Sequence, residues 1–155
     1  MTTLKEKLQA DLQTATRARE TLRMGTLRMV LAAITTEEVS GKQARQLSDQ
    51  ETIQVLTREA KKRKEAAVAY DEARRPELAA TEREELDIIT GYLPAALDPD
   101  ELAAIIATAV AAAAAAGQTG PGAMGAVMKI VTPQVAGRAD GAAVASAVKA
   151  ALTSS

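Results

Sequence analysis

The chain has 155 residues, 19 basic and 20 acidic, a formal net charge of -1, and neither cysteine nor histidine. That inventory excludes thiol nucleophiles, imidazole acid-base catalysis, disulfides, and thiolate or imidazole zinc sites. Two tyrosines are the whole aromatic content, so the stacking surfaces of single-stranded nucleic-acid binders are missing, and any such role falls to a local basic patch. The length suits one domain or two small ones with a moderate core.

The first segment, residues 3 to 18, sets Leu4, Leu8 and Leu12 at four-residue spacing among charges, one apolar stripe on a surface helix. Charges at every turn of "MTTLKEKLQADL" argue against a secretory signal, and the lack of cysteine fits a cytoplasmic protein. From Leu22 to Glu38 the apolar residues Leu22, Leu27, Met29, Val30, Leu31 and Ile34 spread over more than one face. Such a helix is packed by neighbours on two sides and forms the centre of a core.

Gly41 breaks the pattern, and Ser48 with Glu51 restarts it as a capping box in which each side chain satisfies an orphan backbone N–H of the other residue. A long helix through Ile53, Leu56, Ala60 and Ala67 to about Tyr70 is expected. Pro76 fits the first turn of the next helix, where its missing N–H is harmless, and Leu86, Ile89 and Leu93 point inward from it.

Pro94 cannot continue that helix, while Asp98, Pro99 and Glu101 read as cap, first turn and capping box of a new one. Residues 1 to 93 hold 16 basic and 16 acidic side chains and residues 94 to 155 only 3 and 4. Two domains are therefore expected, 1–93 with about four helices and 94–155 as a small three-helix bundle, an all-α fold. The second carries Leu102, Ile105, Ile106, Ala109 and Ala113, then Val127, Met128, Val131 and Val135, then Val144, Val148 and Leu152. No period-two run is long enough for a strand. The alanine run Ala111 to Ala116 is too short, and too closely flanked by Gly117, Asp98, Asp100 and Glu101, to span a membrane.

Chemistry-bearing residues are few. Arg58, Lys61, Lys62, Arg63 and Lys64 form the densest basic run, but 100° per residue spreads four consecutive side chains around most of a helix. A solvated helix surface and a phosphate-contacting patch both fit, and Glu65 is spaced to pair with Lys61. Arg17, Arg19, Arg23 and Arg28 widen the patch if the first helices pack beside the third. Arg28, set within "LRMVLAAI", must either snorkel to the edge or find a carboxylate, and structural pairing is the expectation. Gly120, Gly122 and Gly125 lack both the preceding strand of a dinucleotide fingerprint and the Gly-Lys-Ser/Thr ending of a P-loop, so they read as a helix-helix turn. Glu82, Glu84, Glu85 and Asp87 read as a solvated acidic face, with no metal or cofactor motif beside them.

The segments "TLRMVLAAI" (26 to 34), "SDQETIQVLTREAKKRKEAAVAYDEARRPELAATEREELDIITGYLP" (48 to 94), "GAVMKIVTPQVAGRADG" (125 to 141) and "VASAVKAAL" (144 to 152) together resemble the YqeY-like family. That family is in turn similar to the C-terminal tail of the B subunit of the glutamyl-tRNA(Gln)/aspartyl-tRNA(Asn) amidotransferase. The resemblance implies a larger N-terminal helical domain, a compact C-terminal one, and a tail that helps hold tRNA while amide chemistry occurs elsewhere. It implies RNA contact through Arg58, Lys61, Lys62, Lys64, Lys129 and Arg138, with no catalytic, metal or cofactor residue. The family often has lysine after the glycine matching Gly125, where this chain has Ala126, which removes a candidate phosphate contact and weakens the case for that turn.

Three functions follow as expectations: an accessory module binding tRNA or structured RNA, a protein-protein adaptor without RNA, and an amidotransferase component with the carbon-nitrogen ligase activity of the family label. These residues contain neither the amidase's serine-rich catalytic region nor the B subunit's catalytic body, so independent activity is not expected.

Overall fold

The computed structural model describes residues 1–154. Among them the elements are α1 (Leu4–Ala18), α2 (Thr21–Glu38), α3 (Asp49–Glu72), α4 (Pro76–Thr90), α5 (Pro99–Ala115), α6 (Met124–Val135) and α7 (Gly141–Thr153). A single 3-10 turn, Pro121–Ala123, leads into α6, and no strand occurs among the described residues. The fold is all-α.

Two compact units divide the chain, Met1–Leu93 and Pro94–Ser155. In the first, α1 to α4 enclose a core of Leu8, Leu27, Val30, Ile34, Val55, Leu56, Ala60 and Ile89, all buried. Each large apolar side chain in it contributes about 1.5–3 kcal/mol by leaving water. This core ends at Ala60 on α3, and on α4 it takes only Leu86 and residues beyond. Further along the pair, the residues buried are small ones, Ala67 and Ala79, together with one charge, Arg63.

Helix ends are set by side chains. Thr3 and Ser48 each form a reciprocal capping box, with Glu6 and Glu51 as partners. The backbone N–H of Ser48, and then the Arg45 guanidinium, hold the Glu51 carboxyl below its usual range. Leu4 N–H donates to Asp49 Oδ1 at 2.9 Å, joining the start of α1 to the start of α3. Pro76 stands in the first turn of α4, and Asp98 caps α5 by accepting from the Glu101 N–H at 2.8 Å.

The second unit packs α5, α6 and α7 around Ile106, Ala109, Ala113, Ala123, Val127, Val131, Val135, Val144, Val148 and Leu152. Valine and alanine dominate this core, and each such side chain buries little area. Arg138 closes this unit: its backbone carbonyl accepts from Leu97 N–H at 2.9 Å and its Nε donates to the Ala95 carbonyl at 2.9 Å. The segment leading into α5 is thereby held to the turn after α6.

Candidate nucleic-acid interface

Periodicity decides where the basic run points. Val55, Leu56, Glu59, Ala60, Arg63 and Ala67 are the buried face of α3, so Arg63 turns inward while Lys61, Lys62 and Lys64 are exposed on either side of it. The run therefore splits into one buried and three solvated cations, as 100° per residue requires.

Arg63 is only 5% exposed. Its Nη1 donates to the Glu59 carbonyl at 3.3 Å and to Glu59 Oε2, its Nε lies 3.5 Å from Glu85 Oε2, and its Nη2 donates to Met29 Sδ at 3.7 Å. One guanidinium thus ties α2, α3 and α4 together, and every buried side-chain nitrogen or oxygen among the described residues has a partner. A guanidinium suits this place better than an ammonium because its planar fork serves several acceptors at once. Burial, and then the neighbouring Glu85, push the Glu82 carboxyl above its usual value, with Arg63 opposing.

The acidic stretch is corrected here. Glu82 and Glu85 are partly buried and turn towards Arg63, while Glu84 and Asp87 are exposed. The sequence signal for this arrangement was Arg63 itself, three places from Ala60 and four from Ala67 on an apolar stripe that needs a carboxylate from a facing helix.

The remaining basic residues fall into two groups. Arg58 lies 3.1 Å from Glu37 and Lys62 3.6 Å from Glu59, so both are ion-paired within the unit. Arg138 is tied to Ala95 and stands 3.4 Å from Glu101. Lys61, Lys64 and Lys129 are exposed, and no ion pair among the described residues includes them. Lys64 borders a shallow surface depression of about 320 Å³ with Glu65, Val68, Ala69 and Glu72. Two expected pairings fail. Lys61 makes none with Glu65, and Arg28 is exposed with no carboxylate partner, because it sits opposite Leu27, Val30 and Ile34 on α2 and reaches water without crossing the core.

A second polar group surrounds Tyr92. Its hydroxyl donates to Asp11 Oδ2 at 2.5 Å and accepts from Arg23 Nη2 at 3.0 Å, while Lys7 Nζ lies 5.6 Å from the ring centroid. Burial first, then the bond to Asp11, push its hydroxyl up to about 12. This contact fastens the end of α4 to α1 and α2. Lys5 Nζ donates to the buried Glu38 at 2.5 Å at the far end of α2.

Among the described residues no three histidine, cysteine, aspartate or glutamate side chains cluster as metal ligands, and no helix is long and apolar enough to cross a membrane. These features define a class: an all-helical protein in two units, in which a few charges organise helix packing and most of the cations are exposed. The chain belongs to the YqeY-like family, whose model, described as Yqey-like protein, matches residues 5–152. No curated protein matches it.

Proposed function

We propose that this chain is a non-catalytic accessory module that binds structured RNA, tRNA above all, through its phosphate backbone. The observation that supports this most is the state of Lys61 and Lys64: both are exposed on α3, flank the buried Arg63, and make no ion pair in the unit. Cations left unpaired can exchange condensed counterions for phosphates without first breaking an internal contact. Lys129 is in the same state on α6. Arg58, Lys62 and Arg138 also belong to the proposed set, but each must share its charge with Glu37, Glu59 or Glu101, so each contributes less. RNA contact in this reading rests on charge and shape, since both tyrosines are half-buried and Tyr92 is engaged by Asp11, Arg23 and Lys7.

Binding to purified tRNA is measured by filter retention between about 50 and 200 mM salt, where phosphate contacts weaken steeply. Replacing Lys61 and Lys64 by alanine lowers the slope of log affinity against log salt by about 2 in this reading. Absence of binding at the low-salt end refutes it.

The adaptor reading is favoured by another observation: Met29 and Val39 on and beside α2 are 54% and 59% exposed. It predicts a protein partner, the tRNA-dependent amidotransferase among the candidates, recovered equally with and without nuclease treatment. Amide transfer by the chain itself predicts glutamine-dependent conversion of mischarged tRNA by the pure protein, and failure where a complete amidotransferase succeeds rejects it.

A further inference from the structure

Three helices of this chain end in the same motif. After α1, Glu20 N–H donates to the Ala15 carbonyl at 3.0 Å. After α3, Arg75 N–H donates to the Tyr70 carbonyl at 2.8 Å. After α5, Gln118 N–H donates to the Ala113 carbonyl at 2.9 Å. Each is a six-residue closure that requires its penultimate residue in the left-handed conformation. After α5 that residue is Gly117, at φ 84°. After α1 and α3 it is Arg19, at φ 58°, and Arg74, at φ 60°. Glycine adopts this conformation without a Cβ clash, whereas arginine is strained in it. The protein therefore builds one motif with the favourable residue in the second unit and twice with a strained cation in the first.

Both strained arginines stand at one end of the first unit. Arg58 contacts Glu37 and Arg63 contacts Met29, so α2 and α3 run antiparallel. From Met29 back to Thr21, and from Arg63 on to Glu72, the chain travels roughly 12 and 13 Å in the same direction. The two reversals thus lie at the same level of the bundle. Arg17, Arg19, Arg74 and Arg75 are all exposed there, and none joins an ion pair among the described residues. Glu20, Glu72 and Glu77 share this end without pairing with them, and Asp71 is taken by Arg83. Exposed strain that a glycine would relieve, repeated at two turns at the same level, is the pattern of a residue kept for what it touches.

We infer that this end of the first unit is a phosphate-contacting surface, with Arg17, Arg19, Arg74 and Arg75 reaching the backbone of structured RNA from two adjacent helix reversals. The inference rests on the RNA reading above and adds the surface that makes the contact. Guanidinium groups suit the task because each offers two parallel donors to one phosphate.

The test uses the full chain with purified tRNA. The R19G/R74G protein relieves both backbones and removes both charges, so its melting temperature rises while tRNA affinity at about 50 mM salt falls roughly tenfold and the salt slope drops by about 2. R19K/R74K keeps charge and strain, and retains most of the binding and the wild-type melting temperature. R17A/R75A lowers affinity with no gain in melting temperature. Wild-type binding that survives unchanged in R19G/R74G and R17A/R75A, yet falls in the Lys61 and Lys64 variant, overturns this surface and leaves the RNA reading standing. Wild-type protein that does not bind tRNA at low salt overturns both.

Discussion

Arg63 offers the sharpest test of how the first unit is held together. Arg63→Met keeps the length, the apolar stem and the helix propensity of the side chain but deletes its charge. Glu59 and Glu85, whose side chains are 11% and 18% exposed, then lose their shared cation, and only the exposed Lys62, 3.6 Å from Glu59, remains to offset them. Glu82, already pushed up by burial and by Glu85, loses the one influence that opposed the shift. Removing one partner of a buried charge cluster costs roughly 3–5 kcal/mol, and the partial exposure of the two acids places this case near the lower figure. For a unit of this size each kcal/mol moves the melting temperature by about 4–8 °C, so the expected fall is roughly 12–24 °C. Tyr70 and Tyr92 are the only aromatics and both precede Pro94, so near-ultraviolet tyrosine ellipticity during urea unfolding reports the first unit alone. Replacing all three groups, as R63M/E59M/E85L, recovers most of the loss because neither of the acids that Arg63 contacts is left without its partner. A single-variant loss under about 1 kcal/mol, or a triple variant as unstable as the single, refutes the argument that charge compensation holds α3 to α4.

Three other outcomes follow from the same geometry. Tyr92→Phe removes the donor to Asp11 and lowers stability by roughly 1 kcal/mol at neutral pH. A raised tyrosine contributes stability that is complete below its ordinary value of 10.0 and is lost as pH rises through about 12, so urea titrations across that window show a steeper alkaline loss in wild type than in the variant. Glu82→Gln acts with the opposite sign to a paired carboxylate: a raised acid stabilises only below its ordinary value of 4.5, so the variant melts higher than wild type at pH 7 and the two converge in acid. Ser48→Ala removes the side chain that accepts from the Glu51 N–H at 3.2 Å and lowers stability by roughly 0.5–2 kcal/mol, read from the urea midpoint.

Most helix boundaries were legible because local chemistry decides them. Ser48 and Glu51 need only each other and the backbone between them. Pro76 and Pro99 carry their positions in their rings. Thr3 with Glu6 forms the same capping box at the start of α1, and the identical spacing makes it readable by the same rule. What local pattern does not contain is the partner across the bundle. Lys61 and Glu65 are correctly spaced for an ion pair, yet the gain is a few tenths of a kcal/mol on an exposed surface, too little to hold two long side chains together. Arg28 sits inside an apolar word of sequence, but the word wraps more than one face of α2, and Arg28 falls on the wet one.

The candidate surface was harder to read for a related reason. A run such as Lys61 to Lys64 is conspicuous because its members are adjacent, and adjacency along a helix is what scatters them. Arg19 and Arg74 are 55 positions apart in the numbering and reach the same level of the bundle only because α2 and α3 are antiparallel. Their one local sign is conformational, a residue other than glycine where glycine is favoured, and it appears only once the backbone is known. A basic surface built from helix reversals thus leaves no cluster in the sequence, while a cluster in the sequence contributes its most buried member, Arg63, to packing. If phosphates meet this protein where its chain turns, the binding cations are also those whose replacement by glycine makes the fold more stable, a combination that a merely solvated arginine does not produce.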